Sequence, residues 1–370
     1  MLDQASPSAC RAGIGPDRDE ESPPMSDPAP TPGPNPREEL VALLRGRAAC
    51  PLLSGLGEHG LLDRMLAGSF RAADFAEVAD GRLFDAALTY LVSLGLLTRT
   101  DEDPPEYAAT RVGRTAFTRF GSAALIHSYR DYFDRLAGMI VGTDPGPRPV
   151  VDRRVNVLGS GRLHARKFFP AAYRMLASHP VRCAIDVGCG DGEFLAGLLR
   201  RRPDVRAVGV DLSEVAAAEA RARFGGRVPV VVADAADVGG WSRRVPRGPG
   251  PVVVSLWYVV HEFTGGDVGR ATDFFRRLHE RLPDADVILG EIVRLPADVL
   301  AAGRAGSIMP EFLLFHALSG QGVFTWGQHR RVLREIPYTL AAEVLFDEMP
   351  DGAGGTLPSS FVWHLQPLAT

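Results

Sequence analysis

Apolar positions recur at helical spacing through the first half of the chain. Near residue 181 they give way to short unbroken apolar runs separated by helical stretches. Leu40, Leu43 and Leu44 open one expected helix, and Leu56, Leu61, Leu62 and Met65 lie on the next. A third helix is expected over 70–78. From 83 to 97, Leu83, Ala87, Leu88, Leu91, Val92 and Leu94 mark the buried face of a fourth, with Gly95 placed to stop it. Acids and prolines at 101–105 form a turn before Tyr107, Ala108 and Thr110, so the region reads as helices followed by a small hairpin, a winged-helix unit. Residues 115–180 read as further helices, broken at 142–147 and again at Gly159-Ser160-Gly161. Strands are expected at 181–187, 205–210, 228–232, 251–260 and 287–291, with helices between them. That alternation predicts an α/β domain with a parallel sheet covered on both faces.

The first 37 residues break both patterns. Pro7, Pro23, Pro24, Pro28, Pro30, Pro32, Pro34 and Pro36 stand among acids and small residues, too few apolar groups to offset chain entropy, so 1–37 is expected to be disordered. The domain expectation is therefore 1–37, 38–114, 115–180 and 181–370.

Composition narrows the function classes. With 45% hydrophobic and 23% charged residues over 370 positions, the chain has material for two cores. A net charge of -4 offers no footprint for nucleic acid. Cys10, Cys50, Cys183 and Cys189 show no paired spacing, which fits a reducing cytoplasm rather than a disulfide framework or zinc ribbon. No unbroken apolar run approaches the roughly 18–20 residues of a bilayer span, so no membrane partner is expected. The polar, Pro-rich N-terminus is not a secretory signal.

The chemistry begins after the first strand of the alternating region. Asp186-Val187-Gly188-Cys189-Gly190-Asp191-Gly192 places three glycines in a strand-to-helix turn, where backbone must approach a ligand closely. A pyrophosphate turn needs a positive surround. Here Asp186 and Asp191 bracket the glycines, which suits a ligand carrying an ammonium and a sulfonium, as S-adenosylmethionine does. The second strand ends in Asp211-Leu212, where a carboxylate accepts from ribose hydroxyls. The third ends in Asp234-Ala235, where an acid accepts from an adenine amino group.

Asp186 to Gly192, Gly209-Val210-Asp211-Leu212-Ser213 and Ala233-Asp234-Ala235 resemble the successive binding motifs of class I S-adenosylmethionine-dependent methyltransferases. The resemblance implies a Rossmann-like domain with a mostly parallel seven-stranded sheet over 181–370. It also implies a winged-helix dimerisation domain over 38–114, a helical cap on the substrate cavity over 115–180, and hence a homodimer acting on a small molecule. A winged-helix regulator that senses the cofactor is the alternative outside enzymes.

The fourth strand runs into His261-Glu262-Phe263, beside the site of an open parallel sheet. In one reading His261 is the general base of a metal-independent small-molecule O-methyltransferase, since imidazole suits a phenolic proton near neutrality. In the other, His261-Glu262-Phe263 together with His316 in the apolar helical segment 309–321 resembles the α-keto acid C-methyltransferases of the phenylpyruvate methyltransferase type. That resemblance implies a mononuclear iron or manganese held by His261 and His316, with Glu262 as an outer acid and Gln321 as a candidate third contact. The metal would stabilise the enolate of an α-keto acid or of a carrier-protein-tethered keto acyl group in natural-product biosynthesis. Arg162, Arg166 and Arg294 are candidates to pair with a substrate carboxylate, and His164 is a further candidate in the same region. His59, His127, His179, His279, His329 and His364 show no ligand spacing and read as structural or exposed.

Overall fold

The computed structural model describes residues 35–144, 146, 149–302, 308–350 and 354–368, so the disorder expected over 1–37 falls almost wholly outside the described residues. Contact density divides the chain into Met1–Leu44 and Arg45–Thr370. The described part of the first unit is the opening of α1 (Pro36–Glu58). On length and a mean hydropathy of 1.2, α1 qualifies as a membrane span, the one described helix that does. It is not an unbroken apolar run, since Arg45 and Arg47 interrupt it, and one helix that passes by length and average composition is weak evidence of a span.

In the second unit, α2 (Leu61–Ala67), α3 (Gly81–Ser93), α4 (Arg111–Thr118) and the antiparallel pair β1 (Leu97–Arg99) and β2 (Tyr107–Ala109) enclose one core around Leu62, Met65, Phe84, Leu88 and Phe117. Asp80 caps α3 by accepting from the Leu83 amide at 3.0 Å. Beyond α3, Gly95 adopts a positive φ of 69°. The helix expected over 70–78 does not form, apart from a 3-10 turn at Ala72–Asp74. Phe70 exchanges both backbone hydrogen bonds with Tyr107, at 2.9 and 2.8 Å, and is thereby drawn beside the hairpin.

Four helices follow: α5 (Phe120–His127), α6 (Arg130–Val141), α7 (Arg153–Lys167) and α8 (Phe169–Leu176). The break after α6 occurs as expected, but Gly159-Ser160-Gly161 lies inside a continuous α7. These glycines are packing residues. A Cβ on Gly159 would stand 2.6 Å from the Leu125 amide nitrogen, and one on Gly121 would stand 2.7 Å from the Gly159 carbonyl oxygen. The missing side chains let α5 and α7 cross in backbone contact, and that crossing places α7 over the end of the sheet.

The sheet has seven strands in the order β5-β4-β3-β6-β7-β11-β8. Its parallel part comprises β3 (Cys183–Val187), β4 (Arg206–Asp211), β5 (Val230–Val232), β6 (Val252–Trp257) and β7 (Asp286–Ile292). Two antiparallel strands, β8 (Tyr338–Phe346) and β11 (Ser360–Pro367), complete it, and a short pair, β9 (Met349–Pro350) and β10 (Thr356–Leu357), lies between them in sequence. Alternate residues feed two cores. Ile185, Val254, Val287 and Trp363 belong to one, packed with α11 (Val238–Arg244), α13 (Val268–Arg281), α15 (Met309–Ser319) and α16 (Trp326–Glu335). Ala184, Val253, Ile288 and Val362 belong to the other, packed with α8, α9 (Glu193–Arg201) and α10 (Glu214–Phe224). Burial on both faces explains why these strands read as unbroken apolar runs. The fourth strand stops at Trp257, short of the expected residue 260, because Tyr258 turns to a φ of 57° and Val260 begins α12 (Val260–Thr264).

Gly159→Ala is expected to cost about 1–3 kcal/mol in urea unfolding, because backbone rather than a movable side chain blocks the methyl. Gly46→Ala, where nothing lies within 4 Å, should be neutral or slightly stabilising.

Candidate active site

Strand β3 has β4 on one side and β6 on the other, so strand order reverses there and a crevice opens at the carboxyl ends. Two cavities meet in it. The first, about 470 Å³, is lined by all the expected cofactor residues: Asp186, Gly188, Gly190, Asp191, Asp211, Leu212, Asp234 and Ala235. The second, about 670 Å³, holds His261 and His316. Asn156, Ser160, His164, Tyr258 and Glu262 line both.

The turn after β3 is held open by its glycines. Gly188 and Gly192 sit at φ of 76° and 78°, and a Cβ on Gly192 would fall 2.5 Å from the Phe224 ring. Asp211 braces the turn from the next strand, accepting from the Gly190 amide at 2.9 Å and the Ser213 amide at 2.8 Å. Each carboxylate oxygen retains a lone pair. Asp186 is buried and accepts from the Ser255 hydroxyl at 2.6 Å, and burial pushes its pKa up to about 7. Asp191 is already paired with Arg223, so less uncompensated negative charge brackets the glycines than the sequence suggests. On the rim, Asp234 caps the Ala236 amide at 2.8 Å and Leu212 is 67% exposed.

In the second cavity, His261 lies in the first turn of α12, three residues after the left-handed Tyr258. Its Nδ1 lies 2.8 Å from Glu291 Oε2. Glu291, fully enclosed in β7, also accepts from the Val260 amide at 2.9 Å and the Ile292 amide at 3.2 Å. Burial opposes charge on both partners, yet each stabilises the other: the His261 pKa is raised and that of Glu291 lowered. On α15, His316 Nδ1 lies 2.7 Å from the Phe312 carbonyl oxygen, so that nitrogen carries the proton and donates it. Burial and then the neighbouring His261 hold the His316 pKa down to about 2. The two Nε2 atoms stand 3.0 Å apart, with both Nδ1 atoms committed as donors. Two lone pairs therefore converge on one point unless a proton or a cation lies between them. Glu262 lines both cavities with its side chain open to their space, and partial loss of bulk water there raises its carboxyl pKa.

The remaining candidates separate. His164 is buried, stacked 4.3 Å from Tyr258, with its pKa lowered by burial to about 3. Arg162 lines the second cavity and pairs with Asp63 at 3.4 Å. Arg166 and Arg119 line the same cavity, along with Lys167, which pairs with Asp347. Gln321 lines the first cavity and not the second; its side chain accepts from Ser319 and its amide donates to the His316 carbonyl at 2.9 Å. Arg294 is exposed and lines neither cavity: the chain leaves the sheet after Ile292, and the Arg294 amide bonds to the Phe324 carbonyl at 2.7 Å. Glu291 was missed as a functional residue. The signal was a carboxylate near the carboxyl end of an apolar run, on the strand beside the one that leads into His261.

Residues 184–282 match the methyltransferase domain family. A methyltransferase of Aspergillus campestris is 29% identical over 208 residues, half of this chain and 59% of that protein. A trans-aconitate 2-methyltransferase of an Acidovorax species is 48% identical over 61 residues, 16% of this chain and 23% of that one. The chain thus spans less than two thirds of either relative. Among solved structures, human N-acetylserotonin methyltransferase in complex with S-adenosylmethionine superposes with a TM-score of 0.56 at 14% identity, covering 91% of this chain and 99% of that one. An O-methyltransferase family protein of Burkholderia thailandensis gives 0.55 at 17% identity, covering 90% and 99%. At such identities the structural likeness shows the fold, a Rossmann-like α/β domain behind a helical N-terminal region.

Two further buried histidines, His164 and His329, contribute a pH dependence of stability. Burial lowers the pKa of His164 to about 3 and that of His329, whose Nε2 donates to the Ile292 carbonyl, to about 4. In the unfolded chain both protonate near pH 6.5. Below that pH the unfolded state binds more protons, so stability falls as pH falls, by up to about 1.4 kcal/mol per histidine per pH unit. Urea unfolding between pH 6.5 and 5 should show this slope, and His329→Gln should flatten it.

Proposed function

We propose that this chain, whose residues 184–282 are a methyltransferase domain, transfers a methyl group from S-adenosylmethionine to carbon on an anionic, enolisable small molecule. The donor reading rests on the first cavity. Asp211 presents free lone pairs where ribose hydroxyls would donate, Asp186 is a buried carboxyl awaiting a cation, and Leu212 offers an apolar flank for a base. S-adenosylmethionine supplies an electrophilic methyl on its sulfonium. A bound ammonium beside Asp186 would favour its ionised form, offsetting the burial that raises its pKa.

The acceptor reading rests on one observation, the 3.0 Å approach of two Nε2 atoms whose Nδ1 partners are already hydrogen-bonded. Two imidazoles bound cis to one divalent ion at about 2.1 Å sit about 3 Å apart, so the pair fits a mononuclear metal. His261 and His316 would hold it. The metal supplies a Lewis acid to an enolisable carbonyl. Glu291 and the Phe312 carbonyl fix both rings and tautomers, as acceptors behind metal-bound histidines do. Glu262 is positioned to hold a proton between the two cavities. Arg119 and Arg166 line the substrate cavity, with Arg162 and Lys167 there already paired to Asp63 and Asp347, and the first two support an acidic acceptor such as an α-keto acid. Its volume of about 670 Å³ suits a small molecule or the end of a carrier-tethered one.

The His261–Glu291 pair supports a second reading, O-methylation without metal. There His261 Nε2 takes the acceptor's proton, and Glu291 stabilises the imidazolium.

Elemental analysis of purified protein separates the readings. The first expects about one bound iron or manganese per chain, lost in His316→Ala, and loss of α-keto acid methylation in chelator. Metal-free protein that is fully active in chelator would overturn it in favour of O-methylation. In both, Glu291→Gln should lower kcat by about 10²–10⁴-fold while leaving the Kd for S-adenosylmethionine within about twofold, since the lost charge orients His261 and not the donor.

A further inference from the structure

At the amino end of the sheet, away from the crevice, three residues judged separate in sequence come together. Asp286 opens β7, His364 lies on the neighbouring β11, and His179 lies in the segment joining α8 to β3. Both imidazoles reach the same carboxylate oxygen: His364 Nε2 and His179 Nε2 each lie 2.6 Å from Asp286 Oδ2. The rings meet edge to face at 4.9 Å, and the ligand-type atoms of all three residues lie within 4.8 Å of one another. This is the one such group of three or more among the described residues. Side-chain exposure is 22% for His179, against 7% for His364 and 11% for Asp286, so the cluster has one open side.

The donor set is held in place before any ion arrives. β7 and β11 are hydrogen-bonded neighbours. The third segment is clamped by Arg202, which donates to the carbonyls of His179 at 3.2 Å, Leu176 at 3.3 Å and Val181 at 3.2 Å. A second observation points to unfilled polar demand nearby. Tyr338 on β8, 3% exposed, has a buried hydroxyl with no hydrogen-bond partner. Burial and then the Asp286 carboxylate raise its pKa. His279, 8% exposed and edge-on to Tyr338 at 5.6 Å, leaves its Nδ1 unpartnered as well.

We propose that His179, Asp286 and His364 form a zinc site, with water as the fourth ligand on the open side. Two imidazoles, one carboxylate and a solvent position make a tetrahedral zinc set. Binding replaces the ring protons now shared with Asp286, and each N–O separation opens from 2.6 Å to about 3.3 Å, the spacing of tetrahedral ligands. The ion would tie the α8–β3 segment to the middle of the sheet from the face opposite the chemistry, so its role is to stabilise the fold. The proposal is independent of the metal assigned to His261 and His316.

The test uses the full chain with the reacting pair removed, His261→Ala/His316→Ala, incubated with zinc and desalted. One zinc per chain is expected, with a higher Tm than after chelator treatment, and Co(II) should give a tetrahedral visible spectrum. Adding His179→Ala or Asp286→Asn should abolish all three. A folded double variant that retains no zinc, or retains it despite His179→Ala and Asp286→Asn, overturns the proposal. Should the double variant fail to fold, the otherwise unmodified chain serves. There His179→Ala, in a partly exposed segment, should lose one zinc while methyl transfer stays unchanged, and unchanged zinc content sinks the idea.

Discussion

A single carboxylate enclosed in the sheet organises the carboxyl end of β7 and the turn that follows β6. Glu291 is 1% exposed, and a charge so placed persists only with its hydrogen-bond demand met. The Val260, His261 and Ile292 amides and the His261 ring supply that demand. To bring two of those amides inward, the chain must turn sharply after β6, and Tyr258 takes a left-handed φ of 57° that a bulky residue adopts only at a cost of about 1–3 kcal/mol. The same turn aims His261 at α15, where His316 waits with its own Nδ1 already spoken for. The strained residue, the short helix and the convergent imidazoles are consequences of satisfying one buried acid.

The two cavities share walls because of how α7 sits. Gly121 and Gly159 let α5 and α7 touch through backbone, and Asn156, Ser160 and His164 then face both spaces. Donor and acceptor would meet across Tyr258, His164 and Glu262. His164 stays neutral there, so the partition carries an unprotonated ring at physiological pH. Arg119 and Arg166 line the second cavity, whereas the acidic turn belongs to the first.

Clusters of histidine and acid lie at both ends of the sheet. Its carboxyl end holds His261, Glu291 and His316, and its amino end holds His179, Asp286 and His364. β7 contributes an acid to each, Asp286 at its first position and Glu291 near its last. One strand thus connects the two clusters across the length of the sheet.

What the sequence determined by itself was everything encoded over short separations. The turn from Asp186 to Gly192, the strand-end acids Asp211 and Asp234, and the order of strands and helices follow from local backbone demands and unbroken apolar runs. Where local pattern had two physical meanings, the reading failed. Gly159-Ser160-Gly161 looked like a break and is a helix crossing, and Phe70 looked helical until Tyr107 claimed its backbone. The tertiary structure alone decided the long-range meetings: His261 with Glu291, 30 residues on; His316 with His261, 55 apart; His364 with Asp286, 78 apart. It also removed Arg294 from the site and set Gln321 on the donor side. Such pairings depend on sheet order and helix placement, which minimise buried, unpaired polarity across the whole fold and leave no periodic trace along the chain.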